Sequence, residues 1–146
     1  MRTRDAMVRV LLALAMIVPA TLQAQSADDA AGVERAALDY LEGFCEGSTE
    51  KLRRGVHPDV VKYGFSRGRE RSYHGEPMSF QEMLDYATSV KESGRSPGPD
   101  APKSVEALDV LEQTAVAKAY AWWGSDYLQL AKYDGQWKIL HVLWQF

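Results

Sequence analysis

The chain of 146 residues is poor in the side chains that hold metals or crosslink small folds, with one cysteine and three histidines. Cys45 has no second cysteine with which to form an internal disulfide, so we predict a small buried hydrophobic residue near a helix end. His57, His74 and His141 are widely separated and lack the spacing of a zinc site. Neither a glycine-rich phosphate loop nor a Gly-x-Ser-x-Gly motif is present. We therefore predict no metal and no cofactor.

The chain also lacks an excess of basic residues, and its formal net charge of −3 argues against nucleic acid as a partner. Its N-terminal apolar run, "VLLALAMIV", is too short to span a bilayer, which takes about 20 residues. The basic "MRTRDAMVR" before it and the small residues after it predict a signal peptide over 1–24, cut between Ala24 and Gln25. We expect a periplasmic or secreted protein with no membrane attachment after cleavage. An uncleaved N-terminal anchor is the alternative.

Residues 25–146 are predicted to form one domain in which helices come before most of the strands. Apolar residues at helical spacing predict a first helix that ends near Gly47, and Ser48 or Thr49 begins a second that ends at Gly55. A capping box, Ser79-x-x-Glu82, opens a third helix. One strand separates the second and third helices, and four consecutive strands follow from Val105 onward. This order predicts an α+β fold, a curved antiparallel sheet with three helices on its concave face.

Two tight turns determine the predicted faces of the last three strands. Asp134-Gly135 is typical of a type I′ hairpin turn, and Gly124-Ser125 is predicted as a second two-residue turn. Counting outward from these turns places Asp126 and His141 together on the concave face, because side chains alternate along a strand. The final hairpin is then interpreted as the edge pair of the sheet, with its histidine pointing into the concave side.

The opposite face of the same strands mixes large aromatic residues with lysine and glutamine, a composition that suits a protein interface. We therefore expect a homodimer that forms through this outer face. The predicted interface residues are Tyr120, Trp122, Tyr127, Leu140, Val142 and Trp144.

The order of elements, with "DYLQLAKYDGQWKILHVLW" at the C-terminus, resembles the nuclear transport factor 2-like superfamily, the cone fold shared with ketosteroid isomerase. Within it the chain is most similar to the family named "putative lumazine-binding", through its Asp-x-Leu-x-Leu and Asp-Gly-x-Trp-x-Ile patterns and the segment "LRRGVHPDVVK". The resemblance implies a cone-shaped α+β fold and adds that related folds often pair sheet to sheet. It implies little about function, since this scaffold hosts isomerases, dehydratases and binding modules.

Three functions remain open from the sequence. The first is an exported protein that binds a small hydrophobic or aromatic ligand in the cone. The second is a cofactor-free isomerase or dehydratase in which Asp126 and His141 act as general acid and base. The third is a structural or interaction protein whose cavity is filled by its own side chains. The predicted ligand pocket consists of Tyr40, Phe44, Tyr63, Phe65, Met83, Tyr86 and Trp123.

Overall fold

A computed structural model describes the backbone of residues 20–146 and the side chains from residue 26 onward. The elements are α1 (Ala20–Glu46), α2 (Thr49–Gly55), β1 (Val56–Arg67), β2 (Tyr73–Met78), α3 (Phe80–Ser93), β3 (Lys103–Val110), β4 (Thr114–Ala121), β5 (Gly124–Tyr133) and β6 (Gln136–Gln145). Most of the predicted signal peptide, residues 1–19, lies outside the described residues. No helix in the described part is long and apolar enough to cross a membrane.

Helices α2 and α3 begin where the sequence predicts, because side chains there satisfy the free N–H groups of the first turn. The Ser48 hydroxyl accepts from the Lys51 N–H at 3.3 Å. At α3 the Ser79 hydroxyl accepts from the Glu82 N–H, while the Glu82 carboxylate accepts from the Ser79 N–H at 2.7 Å. The capping box is therefore confirmed. Gly94 ends α3 with a φ of +63°, a value that glycine adopts without strain.

The described residues form a six-stranded sheet in the order β2-β1-β6-β5-β4-β3. All neighbours are antiparallel except β1 and β6, which run parallel, so the sheet is mixed rather than purely antiparallel. The final hairpin, β5–β6, therefore lies inside the sheet, and its interpretation as the edge pair is wrong. A hairpin pattern shows which strands pair across the turn, but it carries no information about the strand that pairs on the other side.

One of the two predicted tight turns is confirmed and the other is displaced. Asp134 and Gly135 both have positive φ, +49° and +78°, as a type I′ turn requires. The β4–β5 turn instead consists of Trp122 and Trp123, since Ala121 pairs with Gly124. This turn precedes the predicted one by two residues. A shift of two residues keeps every side chain on its face, so Asp126 still points inward.

A β-bulge at Leu140 reverses the faces of the last strand. Leu130 pairs with Ile139 as predicted, but Gln129 pairs with His141, so Leu140 has no direct partner. The extra residue moves every side chain after it to the opposite face. Consequently Val142 is 2 % exposed within the core, whereas Leu143 is 50 % exposed.

The concave face carries the core. β1 and β3 have pairing irregularities at nearly the same level of the sheet as the Leu140 bulge, and bulges bend strands. Small residues of β4, Ala115, Ala117 and Ala119, are buried beneath α1 and let that helix approach the sheet closely. The apolar face of α1 is buried, and its residues are Val33, Ala36, Ala37, Tyr40, Leu41 and Phe44. Cys45 is fully buried, and burial raises the pKa of its thiol.

Candidate functional site

An aromatic cavity of about 310 Å³ opens between the helices and the concave side of the sheet. Its walls come from α1, β1, β2, α3, the β4–β5 turn and the C-terminal end of the chain. The lining residues are Phe44, Lys62, Ser66, Met78, Tyr86, Trp122, Trp123, Trp144 and Phe146. Lys62 is the charged residue among them, and its side chain is only 7 % exposed. The cavity therefore combines apolar walls with one buried ammonium.

The cavity contains three of the seven residues predicted for it, Phe44, Tyr86 and Trp123. Two others, Tyr40 and Met83, are fully buried and belong to the core. The rings of Tyr40 and Phe44 meet edge to face with their centroids 5.1 Å apart, so Tyr40 supports the cavity wall from behind.

The prediction is wrong for Tyr63 and Phe65, whose rings meet edge to face on the outer face, 39 % and 37 % exposed. Strand β1 instead turns Lys62 and Gly64 toward the cavity. Its alternation of apolar and polar residues suggested the opposite orientation, because apolar residues more often face a core. Here the outer face of the sheet is itself rich in aromatic residues.

The predicted dimer residues also divide between the two faces. Trp122 and Trp144 line the cavity, and Val142 is buried in the core, so their assignment to the outer face is wrong. The Leu140 bulge accounts for Val142 and Trp144, and the displaced turn accounts for Trp122. Tyr127 remains on the outer face, 50 % exposed, with Tyr120 nearby on β4.

The structure does not bring the proposed acid–base pair together. Asp126 is fully buried on the concave face. His141 lies on the outer face, where its Nδ1 is 2.7 Å from the Gln129 Oε1, and it borders a second cavity of about 350 Å³. The expectation that the two share one cavity is wrong, since the bulge at Leu140 turns His141 outward.

Asp126 instead belongs to a buried network at the base of the cavity. Its Oδ2 accepts from the Tyr40 hydroxyl at 2.5 Å, and its Oδ1 accepts from the Trp123 indole N–H at 2.9 Å. The Lys62 ammonium donates to the Tyr40 oxygen, and its Nζ lies 3.9 Å from Asp126 Oδ2. Every buried side-chain N and O atom in the described part of the chain has a partner. The network is thus a continuous chain from Lys62 through Tyr40 to Asp126.

Burial changes the acid–base properties of this network. Loss of hydration disfavours the ammonium and lowers the pKa of Lys62 from 10.5 to about 8, although the charge of Asp126 opposes this shift. Burial and the neighbouring carboxylate raise the pKa of Tyr40 well above 10, so its hydroxyl keeps its proton. Lys62 therefore exchanges between ammonium and neutral amine close to physiological pH.

Gly64 explains how Trp144 reaches the cavity. The two residues pair across β1 and β6, and a Cβ placed on Gly64 would lie 1.7 Å from Trp144 Cε2. The missing side chain leaves the space that the indole occupies. The Lys62 ammonium then lies 5.1 Å from the ring centroid of Phe44 and 5.4 Å from that of Trp144. Ring faces at these distances attract a cation.

Sequence reasoning missed Lys62, Ser66, Met78 and Phe146 as lining residues. Gly64 was the only local signal, because a glycine within a strand often marks a close approach by another group. This arrangement can bind a flat apolar molecule and donate hydrogen bonds to it from Lys62. Among the described residues no three His, Cys, Asp or Glu side chains are placed to hold a metal ion.

Residues 28–145 match the model of the protein family described as "Putative lumazine-binding". The chain belongs to this family. No curated protein matches the sequence of this putative lumazine-binding family member significantly.

Solved structures show that this family member has the nuclear transport factor 2-like fold. A protein of unknown function from Silicibacter pomeroyi superposes with a TM-score of 0.64 at 15% identity, covering 80% of this chain and 94% of its own. Another from Methylobacillus flagellatus gives 0.58 at 22% identity, covering 81% and 91%. A third from Shewanella baltica gives 0.56 at 17% identity, covering 80% and 92%. All three are described as nuclear transport factor 2-like proteins.

Proposed function

We propose that the protein binds one small flat aromatic molecule in the cavity, with an oxygen acceptor of that molecule directed toward Lys62. The observation that carries this proposal is a cavity with aromatic walls and a single buried ammonium at its base. A volume of about 310 Å³ is at the small end for ligand sites. It therefore suits a ligand of one or two fused rings.

The walls favour ring stacking and the base favours a polar group. Phe44 meets Tyr86 and Trp123 edge to face, with ring centroids 5.7 and 5.8 Å apart. An ammonium has three N–H donors, of which Tyr40 accepts one, and Asp126 lies beyond hydrogen-bond length. Lys62 can therefore donate to a carbonyl or carboxylate oxygen of the ligand. The family description supports this chemistry, since lumazine is a fused-ring heteroaromatic compound with ring carbonyls.

Intrinsic fluorescence provides the test, because Trp122, Trp123 and Trp144 line the cavity. The protein is titrated with lumazine, with 2-naphthoate and with naphthalene, and all three should quench its emission saturably. Lys62→Met should weaken lumazine and naphthoate binding but leave naphthalene binding nearly unchanged, because naphthalene has no acceptor.

Tyr86→Ala tests the walls, and Tyr133→Ala is its matched control. The two tyrosines are 43% and 41% exposed, but Tyr133 stacks on His57 away from the cavity. An aromatic contact contributes about 0.5–1.5 kcal/mol, so Tyr86→Ala should weaken all three probes about 2- to 12-fold. Equal losses in both variants, or no saturable quenching in the wild type, would contradict the proposal.

The two alternatives considered from the sequence have less support. An enzyme built on Asp126 and His141 would need both groups at one substrate, yet they lie on opposite faces of the sheet. The open space of about 310 Å³ beside Phe44 and Trp144 argues against a cavity filled by the protein's own side chains.

We also propose that the outer face of the sheet pairs with a second copy of the chain. Register places one row of side chains across four strands, Tyr63, Leu143, Tyr127 and Lys118, with Glu106 following on β3. Tyr63, Leu143 and Tyr127 are 39–50% exposed and form an apolar patch. Lys118 and Glu106, at one end of the row, carry opposite charges. A two-fold related copy of the row can therefore face it without net electrostatic repulsion.

Export is the third element of the proposal. It rests on the basic start, the short apolar run and the small residues before Gln25. In that compartment the ligand would be an extracytoplasmic small molecule.

A further inference from the structure

We propose that Lys62 captures aromatic aldehydes covalently, by forming an imine with a carbonyl carbon held in the cavity. This inference rests on the proposed function, since the aldehyde must first bind between the aromatic walls. It adds a chemical step and a substrate class that non-covalent binding does not require.

The geometry places a nucleophile in the lining of an apolar cavity. Lys62 Nζ lies 5.1 Å from the ring centroid of Phe44 and 5.4 Å from that of Trp144, and both rings line the cavity. A flat aldehyde stacked on these walls would present its carbonyl to Nζ. The enclosing side chains limit water there, which favours an imine over its hydrolysis.

The buried network holds the Lys62 amine in position. Lys62 donates to the Tyr40 oxygen, and the Tyr40 hydroxyl donates to Asp126 at 2.5 Å. Burial disfavours the ammonium and lowers the pKa of Lys62 to about 8, so a neutral amine forms by loss of its proton to water near that pH.

The reaction balances without any external oxidant or reductant. The neutral amine attacks the carbonyl carbon, a C–N bond forms as the C=O π bond breaks, and one proton moves from nitrogen to oxygen to give a carbinolamine. The hydroxyl then takes up a proton from water and leaves as water, and the iminium nitrogen returns its remaining proton to water, giving the imine. Tyr40 accepts a hydrogen bond from Lys62 Nζ and orients it, so it acts here as a positioning residue.

The test uses the whole protein with 2-naphthaldehyde and sodium cyanoborohydride, which reduces an imine to a stable secondary amine. We expect one naphthylmethyl group per chain by intact mass, located on Lys62 by peptide mass spectrometry. At pH 8 the labelling of Lys62 should be at least tenfold faster than that of any other lysine. The titratable groups facing Lys62 are Tyr40 and Asp126, with Tyr86 across the cavity. The labelling rate should therefore be half-maximal near pH 8.

Two controls separate this inference from the proposed function. The alcohol 2-naphthalenemethanol has the same rings but no carbonyl, and it should quench tryptophan emission without labelling the chain. If the alcohol binds but aldehyde labelling is absent or spread over many lysines, covalent capture is refuted and the proposed function stands. If neither compound quenches, the proposed function fails first.

Variants complete the test. Lys62→Met should remove the fast labelling and leave only the slow labelling of other lysines, whereas Lys118→Met, on the outer face, should leave the fast labelling unchanged. Tyr40→Phe should lower the labelling rate at least tenfold while alcohol binding persists, because the amine remains but loses the hydrogen bond that orients it. Unchanged labelling in Lys62→Met would overturn the proposal, and an unchanged rate in Tyr40→Phe would overturn the role of Tyr40.

Discussion

The buried Lys62 makes a quantitative prediction about stability and pH. Replacing it with methionine removes the ammonium but keeps a flexible apolar chain of similar length. The folded protein holds the pKa of Lys62 at about 8, whereas an unfolded chain has the ordinary value of 10.5. Between these values the unfolded state binds more protons than the folded state. Linkage then requires that the Lys62 contribution to stability rises as the pH rises.

The size of the effect follows from the two pKa values. At pH 7 both states are protonated, and the buried ammonium exerts its full destabilising effect. At pH 9.5 the folded lysine is almost entirely neutral while the unfolded lysine is still mostly charged. With about 1.36 kcal/mol per pKa unit, the free energy of unfolding of the wild type, relative to Lys62→Met, should rise by about 2 kcal/mol from pH 7 to pH 9.5.

Urea unfolding followed by tryptophan fluorescence measures this difference at pH 7, 8, 9 and 9.5. Subtracting the variant removes the titration of groups that the two proteins share. Lys118→Met is the matched control, because the hydrogen bond with Tyr120 raises the pKa of Lys118. A lysine whose pKa is raised in the folded state changes the free energy of unfolding with pH only near and above its unfolded pKa of 10.5. The difference in free energy of unfolding between the wild type and Lys118→Met should therefore stay constant from pH 7 to pH 9.5. A flat difference for Lys62→Met as well would refute the reasoning.

Three further predictions test other parts of the structure. Gly64→Ala places a Cβ against Trp144, so it should cost about 1–3 kcal/mol in urea unfolding and weaken every aromatic probe; undiminished probe binding would contradict the role of this glycine. Leu143→Glu should convert the proposed dimer into a monomer, which light scattering measures as a halved mass. A wild type that is monomeric at roughly tens of micromolar would count against the dimer. Intact mass of exported protein should begin within a few residues of Gln25, and a retained Met1 would exclude cleavage.

Local features of the sequence predicted most of the fold. Ser48 and Ser79 satisfy backbone groups within one turn, and Asp134-Gly135 adopts its turn through its own backbone preferences. The periodic apolar face of α1 predicted which side of the helix is buried. These features depend on residues within about four positions of each other, so no tertiary information is needed to find them.

Only part of the candidate site could be predicted from such local features of the sequence. Asp126 was predicted on the concave face, since a turn displaced by two residues leaves the alternation unchanged. His141 was misplaced because no residue around Leu140 signals a bulge. Lys62 was missed because β1 carries apolar residues on both faces, and a charged residue is more often exposed than buried.

The sequence by itself determined the helices, their caps, the hairpin turn and the α+β class, because these follow from hydrogen bonds and alternation among near neighbours. Only the tertiary structure decided which face of β1 and of the end of β6 points inward. That decision depends on how α1 and the parallel β1–β6 pair close the concave face. Packing around Trp144 and Gly64 thereby places Lys62 against Tyr40 and Asp126, and its altered pKa results from burial among residues distant in sequence.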